Sequence, residues 1–201
     1  MAWVATHLVY RFKVEGAQNI PTNGPALLTC NHVSFVDPIL MMAASPRPIH
    51  FVMDYRIFRT PVLGWLFRLC KAIPIAPQKE DPAVYDAAFA RAAQVLRDGD
   101  LLAIFPEGAI TRDGQLQAFK GGMMKILEQA KADGLDVPVV PMALSHLWGS
   151  YFSRIEPQGA MSKPFRRGVF NRVILRVGEP IGPEQCQPES LRQRVQNLLE
   201  P

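Results

Sequence analysis

Cysteine is scarce in this chain: three among 201 residues, Cys30, Cys70 and Cys186, odd in number and far apart. That pattern offers neither a disulfide framework nor zinc-ligand spacing, and it fits a reducing cytoplasm. Long apolar runs are missing as well. No segment reaches the roughly eighteen uninterrupted apolar residues of a spanning helix, and no secretory signal peptide heads the sequence, so the chain is not expected to cross a bilayer unaided. No glycine-rich phosphate loop of the Walker or Rossmann type is present. Internal repeats and low-complexity tracts are absent too, and the 18 prolines and 14 glycines are scattered as punctuation and do not gather into a linker. The charge surplus is modest, 22 Lys plus Arg against 18 Asp plus Glu. It favours anionic partners in general, but without any recognised nucleic-acid module nucleic acid is not expected among them.

What is there suffices for one sizeable core: 201 residues with 48% hydrophobic content, read as a single domain over 1–201. Apolar strand-like runs (Ala26 to Cys30, Ile49 to Met53, Ile73 to Ala76, Leu101 to Phe105, Val139 to Leu144, Val173 to Val177) alternate with helix-like ones. The alternation predicts an α/β fold, a single-domain αβ sandwich with a largely parallel central sheet flanked by helices. Pro82 to Asp98 repeats Ala, Phe and Leu at helical spacing and stops at Gly99; Gly121 to Asp133 does likewise before Gly134. After Pro183 the chain is more polar. A last helix, Pro188 to Leu199, carries Leu191, Val195, Leu198 and Leu199 on one side with arginines opposite, the pattern of a packed terminal helix.

Chemistry concentrates in Asn31-His32-Val33-Ser34-Phe35-Val36-Asp37-Pro38, the HX4D motif, a histidine with a carboxylate five positions on. On a continuous helix five steps of about 100° would set those side chains about 140° apart, so the stretch is not all helix. Asp37-Pro38 has the form of an N-cap followed by proline at the first helical position. His32 then lies in the preceding loop, where the chain can curl back to bring carboxylate and imidazole together. Such a carboxylate would fix the tautomer and leave the other ring nitrogen free to take a hydroxyl proton. Two readings stay open on these residues alone: a general-base pair, or a helix cap beside an ordinary histidine. A second segment bears on the choice, because the strand-like run Leu101 to Phe105 breaks off into Pro106-Glu107-Gly108, and strand ends are where sites sit.

NHxxxxD at residues 31–37 followed by FPEG at 105–108 resembles the glycerolipid acyltransferase family, which includes the lysophosphatidate acyltransferases and tafazzin. Further matches follow in order: Gly114-Gln115-Leu116, Phe119-Lys120-Gly121 and Val137 to Ala143, so the resemblance covers about residues 12–182, with 183–201 as a C-terminal helix. It implies an O-acyltransferase in phospholipid synthesis or remodelling, taking a fatty acyl group from acyl-CoA or acyl carrier protein to a lysophospholipid. His32 would be the base and Asp37 its orienter. Acceptor-binding candidates are Phe105, Pro106, Glu107 and Gly108, then Thr111, with Arg112 and Lys120 chosen on position and charge. No metal and no cofactor beyond the acyl donor are implied. A thioester is already activated, so a base and correct positioning can suffice and no cysteine need be recruited.

Two departures stand out. The family's commonest pattern has an arginine three residues after the glutamate, where this chain has Ile110, with Arg112 nearest; and Lys71 to Ala76 runs into Pro77 where an arginine usually ends the block, leaving Lys79 as the closest cation. Both weaken the case for a bare glycerol 3-phosphate headgroup. Gly108-Ala109-Ile110-Thr111 is closer to the acyltransferase parts of proteins acting on 2-acyl-glycerophosphoethanolamine. The expected setting is the cytoplasmic membrane face, bound peripherally. Arg56 to Lys71, where Trp65 and several Phe and Leu alternate with four cations, is either an interfacial helix or a buried amphipathic one. Lys163 to Arg172 either touches anionic headgroups or is a solvated loop. His7, His50 and His146 read as structural, with His146 also placed to line the site. Rival readings are a non-catalytic lipid- or acyl-carrier-binding module and a CoA-independent transacylase, and the chain could be a free enzyme or one domain of a larger membrane protein.

Overall fold

In the computed structural model, which describes residues 10–59, 71–150, 153 and 171–200, the apolar runs become strands of one sheet. These are β1 (Arg11–Glu15), β2 (Ala26–Cys30), β3 (Ile49–Asp54), β4 (Ile73–Ile75), β5 (Leu101–Ile104), β6 (Val139–Ser145) and β7 (Arg172–Val177), in the order β1-β7-β6-β2-β5-β3-β4. The five strands from β6 to β4 are parallel. β7 runs antiparallel to β6 and carries β1 parallel to itself at the edge. The sheet is thus largely parallel, as expected, with a reversed pair on one side.

Strand β1 has no counterpart among the predicted strands. Its Arg-Phe-Lys-Val-Glu alternation is the period-two signal of a strand with one wet face, and Phe12 is its buried residue. The central strands are buried on both faces, so they read as unbroken apolar runs.

Alternate residues of the central strands feed two cores. Leu28, Cys30, Val140, Met142 and Ala103 pack with Leu40 and Met41 of α1 (Asp37–Ala44) on one face. Leu27, Leu102, Val139 and Ala143 meet α2 (Pro82–Arg97), α3 (Gly122–Ala132) and α4 (Pro188–Leu199) on the other. Helix α2 starts where Asp81 accepts from the Val84 amide at 3.1 Å with Pro82 behind it, and it gives way to Gly99 at φ 80°. Helix α4 spans the predicted range, with Leu191 and Val195 fully buried. At the N-terminal ends of the parallel strands, Arg47 ties the loops together by donating to the carbonyls of Pro21 (3.1 Å), Gly99 (2.8 Å) and Gly24. Residues 60–70 and 154–170, which hold most of the two basic segments, lie outside the described residues.

Candidate functional site

β2 lies between β5 and β6, with Thr29 paired to Ile104 and Cys30 to Met142, so the three chains leave the sheet side by side. This carboxyl-end crevice is where parallel α/β sheets place their sites. Asn31, one residue past β2, keeps the ladder going with its side chain: its Nδ2 donates to the Leu144 carbonyl (3.1 Å) and its Oδ1 accepts from the Leu144 amide (2.7 Å). The next residue is His32, and its backbone is held twice by the loop after β5. The His32 amide donates to Glu107 Oε1 at 2.6 Å, and the His32 carbonyl accepts from the Thr111 amide at 2.9 Å.

The imidazole itself meets Asp37 through Nδ1···Oδ2 at 2.7 Å. Its ring stacks on Phe105, with centroids 4.0 Å apart and planes 14° from parallel. The exposures divide the work: the His32 side chain is 18% exposed while Asp37 is 0% exposed. A dry carboxylate accepting from Nδ1 sets the proton there and leaves Nε2 as the basic nitrogen.

Asp37 corrects one expectation. It is not the N-cap of α1, since Val36 holds that position and Asp37 begins the helix. Its Oδ2 instead turns back and accepts from the amides of Val33 (2.8 Å) and Ser34 (3.0 Å) as well as from His32. Oδ1 is buried and has no hydrogen-bond partner among the described residues.

Glu107, 2% exposed, spends both oxygens on backbone. Oε1 takes the His32 amide and Oε2 takes the Gln117 amide at 2.9 Å, so the carboxylate is a strut between the histidine loop and the segment before α3. Gly108 follows at φ 70°, and a Cβ there would run into Lys120, whose Cδ and Cε would be 3.1 Å away. Glycine lets the Lys120 chain lie across this turn. The Lys120 amide donates to the Pro106 carbonyl at 2.8 Å, closing the loop. Thr111 is buried; its hydroxyl bonds Asp113 (2.8 Å) and accepts from the Gly114 amide (3.2 Å). Arg112 is exposed, and Ile110, where the family's commonest pattern has arginine, is buried. His146 is exposed at the end of β6 with φ 64°, and buried His50 reaches Asp100 at 3.2 Å at the other end of the sheet.

Burial raises the Glu107 carboxyl above its ordinary 4.5 against the bonds from the Gln117 and His32 amides, and raises Asp37 above 3.8 against its bond with His32. The folded chain then holds these protons more tightly than the unfolded chain, so stability falls as pH rises through the window between ordinary and folded values. Glu107→Gln lacks Glu107's share of that slope. Above pH 4.5 its melting temperature should gain on that of the wild type until the folded value is passed, and then run parallel. A wild type that gains on the variant as pH rises would reverse the sign. Both described cysteines stay protonated thiols: burial, then the charges of Asp37 and Glu107, push Cys30 far up, and burial pushes Cys186 up to about 11. Neither is a nucleophile at neutral pH.

Residues 11–145 match the acyltransferase family model, and the chain belongs to that family. The 1-acyl-sn-glycerol-3-phosphate acyltransferase LPAT1 of Arabidopsis thaliana chloroplasts is 28% identical over 144 residues, 71% of this chain and 38% of that protein. A 1-acyl-sn-glycerol-3-phosphate acyltransferase of Bacillus subtilis is 26% identical over 200 residues, 92% of this chain and 87% of that one. The chain spans only 38% to 50% of the length of the Arabidopsis and Limnanthes douglasii relatives. The crystal structure of the 1-acyl-sn-glycerophosphate acyltransferase PlsC from Thermotoga maritima shares the fold, with a TM-score of 0.69 over 97% of this chain and 71% of that one at 24% identity.

Sequence reasoning passed over Asn31 and Gln117 as working residues. Asn31 stands inside the quoted motif, but its task, extending a strand ladder with a side chain, shows only when β6 is beside it. Gln117 contributes a backbone amide, which has no signature in sequence.

Proposed function

We propose that the chain is an O-acyltransferase that moves a fatty acyl group from an acyl thioester to the hydroxyl of 1-acylglycerol 3-phosphate or a related lysophospholipid. The observation that carries this reading is the His32 and Asp37 pair at 2.7 Å, one partner dry and the other open to solvent. The acceptor O–H gives its proton to His32 Nε2 as its oxygen attacks the thioester carbonyl carbon. The C–S bond then breaks, the sulfur takes the proton back from the imidazolium, and an ester and a free thiol leave. Buried Asp37 keeps the tautomer and offsets the charge that develops on the ring. The Arabidopsis and Bacillus relatives, both 1-acyl-sn-glycerol-3-phosphate acyltransferases, support lysophosphatidate as acceptor. With Ile110 buried, Lys120 across Gly108 and exposed Arg112 are the candidate cations for a phosphate.

The donor is acyl-CoA or acyl carrier protein, and the acceptor is drawn from a membrane surface. Among the described residues the exposed large hydrophobic side chains are Phe35 (40%), inside the HX4D motif, and Ile39 (37%), two residues after it, which suits a site that meets lipid. No helix among the described residues is long and apolar enough to cross a membrane.

Asp37→Asn separates charge from geometry. All three donors converge on Oδ2 and the buried Oδ1 has no partner among the described residues, so an asparagine oxygen in the Oδ2 place keeps the tautomer and loses the charge, at the cost of a buried NH2 in the Oδ1 place. Its turnover should fall, yet stay above that of His32→Ala and short of the roughly 10⁴-fold loss seen where asparagine forces the wrong tautomer. Equal losses in the two variants would contradict this.

The function is tested by thiol release from palmitoyl-CoA and from palmitoylated acyl carrier protein, with vesicles carrying 1-acylglycerol 3-phosphate or 2-acyl-glycerophosphoethanolamine. Acceptor-dependent release, greatest with the former, is expected. Saturable vesicle binding with no release from either donor would favour a binding module, and diacyl lipid acting as donor would favour transacylation.

A further inference from the structure

Helix α4 lies beyond residue 145, where the family match ends, yet it touches the site through one side chain. Arg192 donates from Nη2 to the carbonyl of Leu116 (3.2 Å) and from Nε to the carbonyl of Gln117 (3.2 Å). The Leu116 carbonyl and the Gln117 amide belong to one peptide group. In a trans peptide the C=O and N–H point in opposite directions, and here each meets a charge: the guanidinium on the oxygen side, the Glu107 carboxylate on the hydrogen side at 2.9 Å. Glu107 passes the constraint on through its other oxygen to the His32 amide at 2.6 Å. Among the described residues the guanidinium otherwise meets Glu189, at 3.5 Å on the surface of the same helix.

We propose that Arg192 is a positioning residue of the site, clamping the Leu116–Gln117 peptide between its own positive charge and Glu107 so that His32 is held where it can act as base. Charge-assisted bonds at both ends polarise and fix the peptide, and the five-donor planar fork of arginine suits two neighbouring carbonyls as an ammonium does not. The clamp makes α4 part of the catalytic apparatus, although none of its side chains is assigned to substrate. Its activity readout rests on the acyl-transfer reading above; the contact itself does not.

Three variants, Arg192→Ala, Arg192→Lys and Glu189→Ala, are compared for kcat and for acceptor KM, alone and, for Arg192→Ala, combined with Glu107→Gln. Arg192→Ala should lower kcat on the order of tenfold, within the ~10²-fold that a full 1 Å misplacement costs, with a smaller change in acceptor KM. Arg192→Lys should recover part of it and Glu189→Ala should match the wild type. Because Arg192 and Glu107 act on one peptide, Arg192→Ala should add little to Glu107→Gln, whereas a purely structural role would add in full. Full additivity, or unchanged kcat in Arg192→Ala, overturns the proposal. If Arg192→Ala does not fold, the lysine variant decides, an undiminished kcat counting against the clamp. Should the wild type transfer no acyl group to any acceptor, the functional reading fails first; the clamp is then judged by hydrogen exchange of the Gln117 amide, which must quicken in Arg192→Lys and refutes the clamp if it does not.

Discussion

Replacing His32 with alanine is expected to lower acyl transfer by about 10²- to 10⁴-fold while leaving the melting temperature near that of the wild type. If His32 is the base, the loss is large because the attacking hydroxyl then has none. The fold should survive because the imidazole is 18% exposed, stacked on Phe105 and bonded to Asp37, while the backbone bonds of His32 to Glu107 and Thr111 stay in place. Asp37 keeps the Val33 and Ser34 amides. Turnover of the variant is compared with that of the wild type under saturating donor and acceptor, beside a thermal melt. Activity within threefold of wild type would remove His32 from the role of base.

Glu107→Ala is expected to fail differently, losing activity and stability together. Its carboxylate accepts from two amides of separate segments, His32 and Gln117, and alanine leaves both donors without their acceptor. An unsatisfied buried donor costs about 1–3 kcal/mol, and freeing the His32 loop can cost on the order of 10²-fold in rate. The variant should therefore melt several degrees lower and show reduced kcat at temperatures where it is still folded, with the KM for the thioester unchanged. Wild-type kcat with altered acceptor KM would mean that Glu107 touches the headgroup and does not hold the histidine.

This reading of Glu107 shows what sequence could and could not supply. FPEG stood out because a buried strand run ends there abruptly, and buried runs are legible wherever both faces of a strand are dry, as in β2, β5 and β6. The partners of the glutamate were not legible, since they are backbone amides. The order Asp-Pro at 37–38 suggests a cap, but a carboxylate at a helix start can serve the helix or reach back, and only the position of Val33, Ser34 and His32 decides it. β1 was missed for the opposite reason to β2: an edge strand has one wet face, so Arg11, Lys13 and Glu15 interrupt the apolar signal. The helical spacing of Leu191 and Val195 placed α4 against the core, while its arginine face looked like plain solvent until Arg192 met the Leu116–Gln117 peptide.

The most direct test of the central claim is to follow the lipid product. Purified protein is given isotopically labelled palmitoyl-CoA, or the acyl carrier protein thioester, with 1-acylglycerol 3-phosphate in vesicles, and the extracted lipid is analysed by mass for the diacyl product. Labelled diacylglycerol 3-phosphate from the wild type, with none above background from His32→Ala, is the expected result; equal product from both proteins, or no product from either donor with any lysophospholipid, would contradict it.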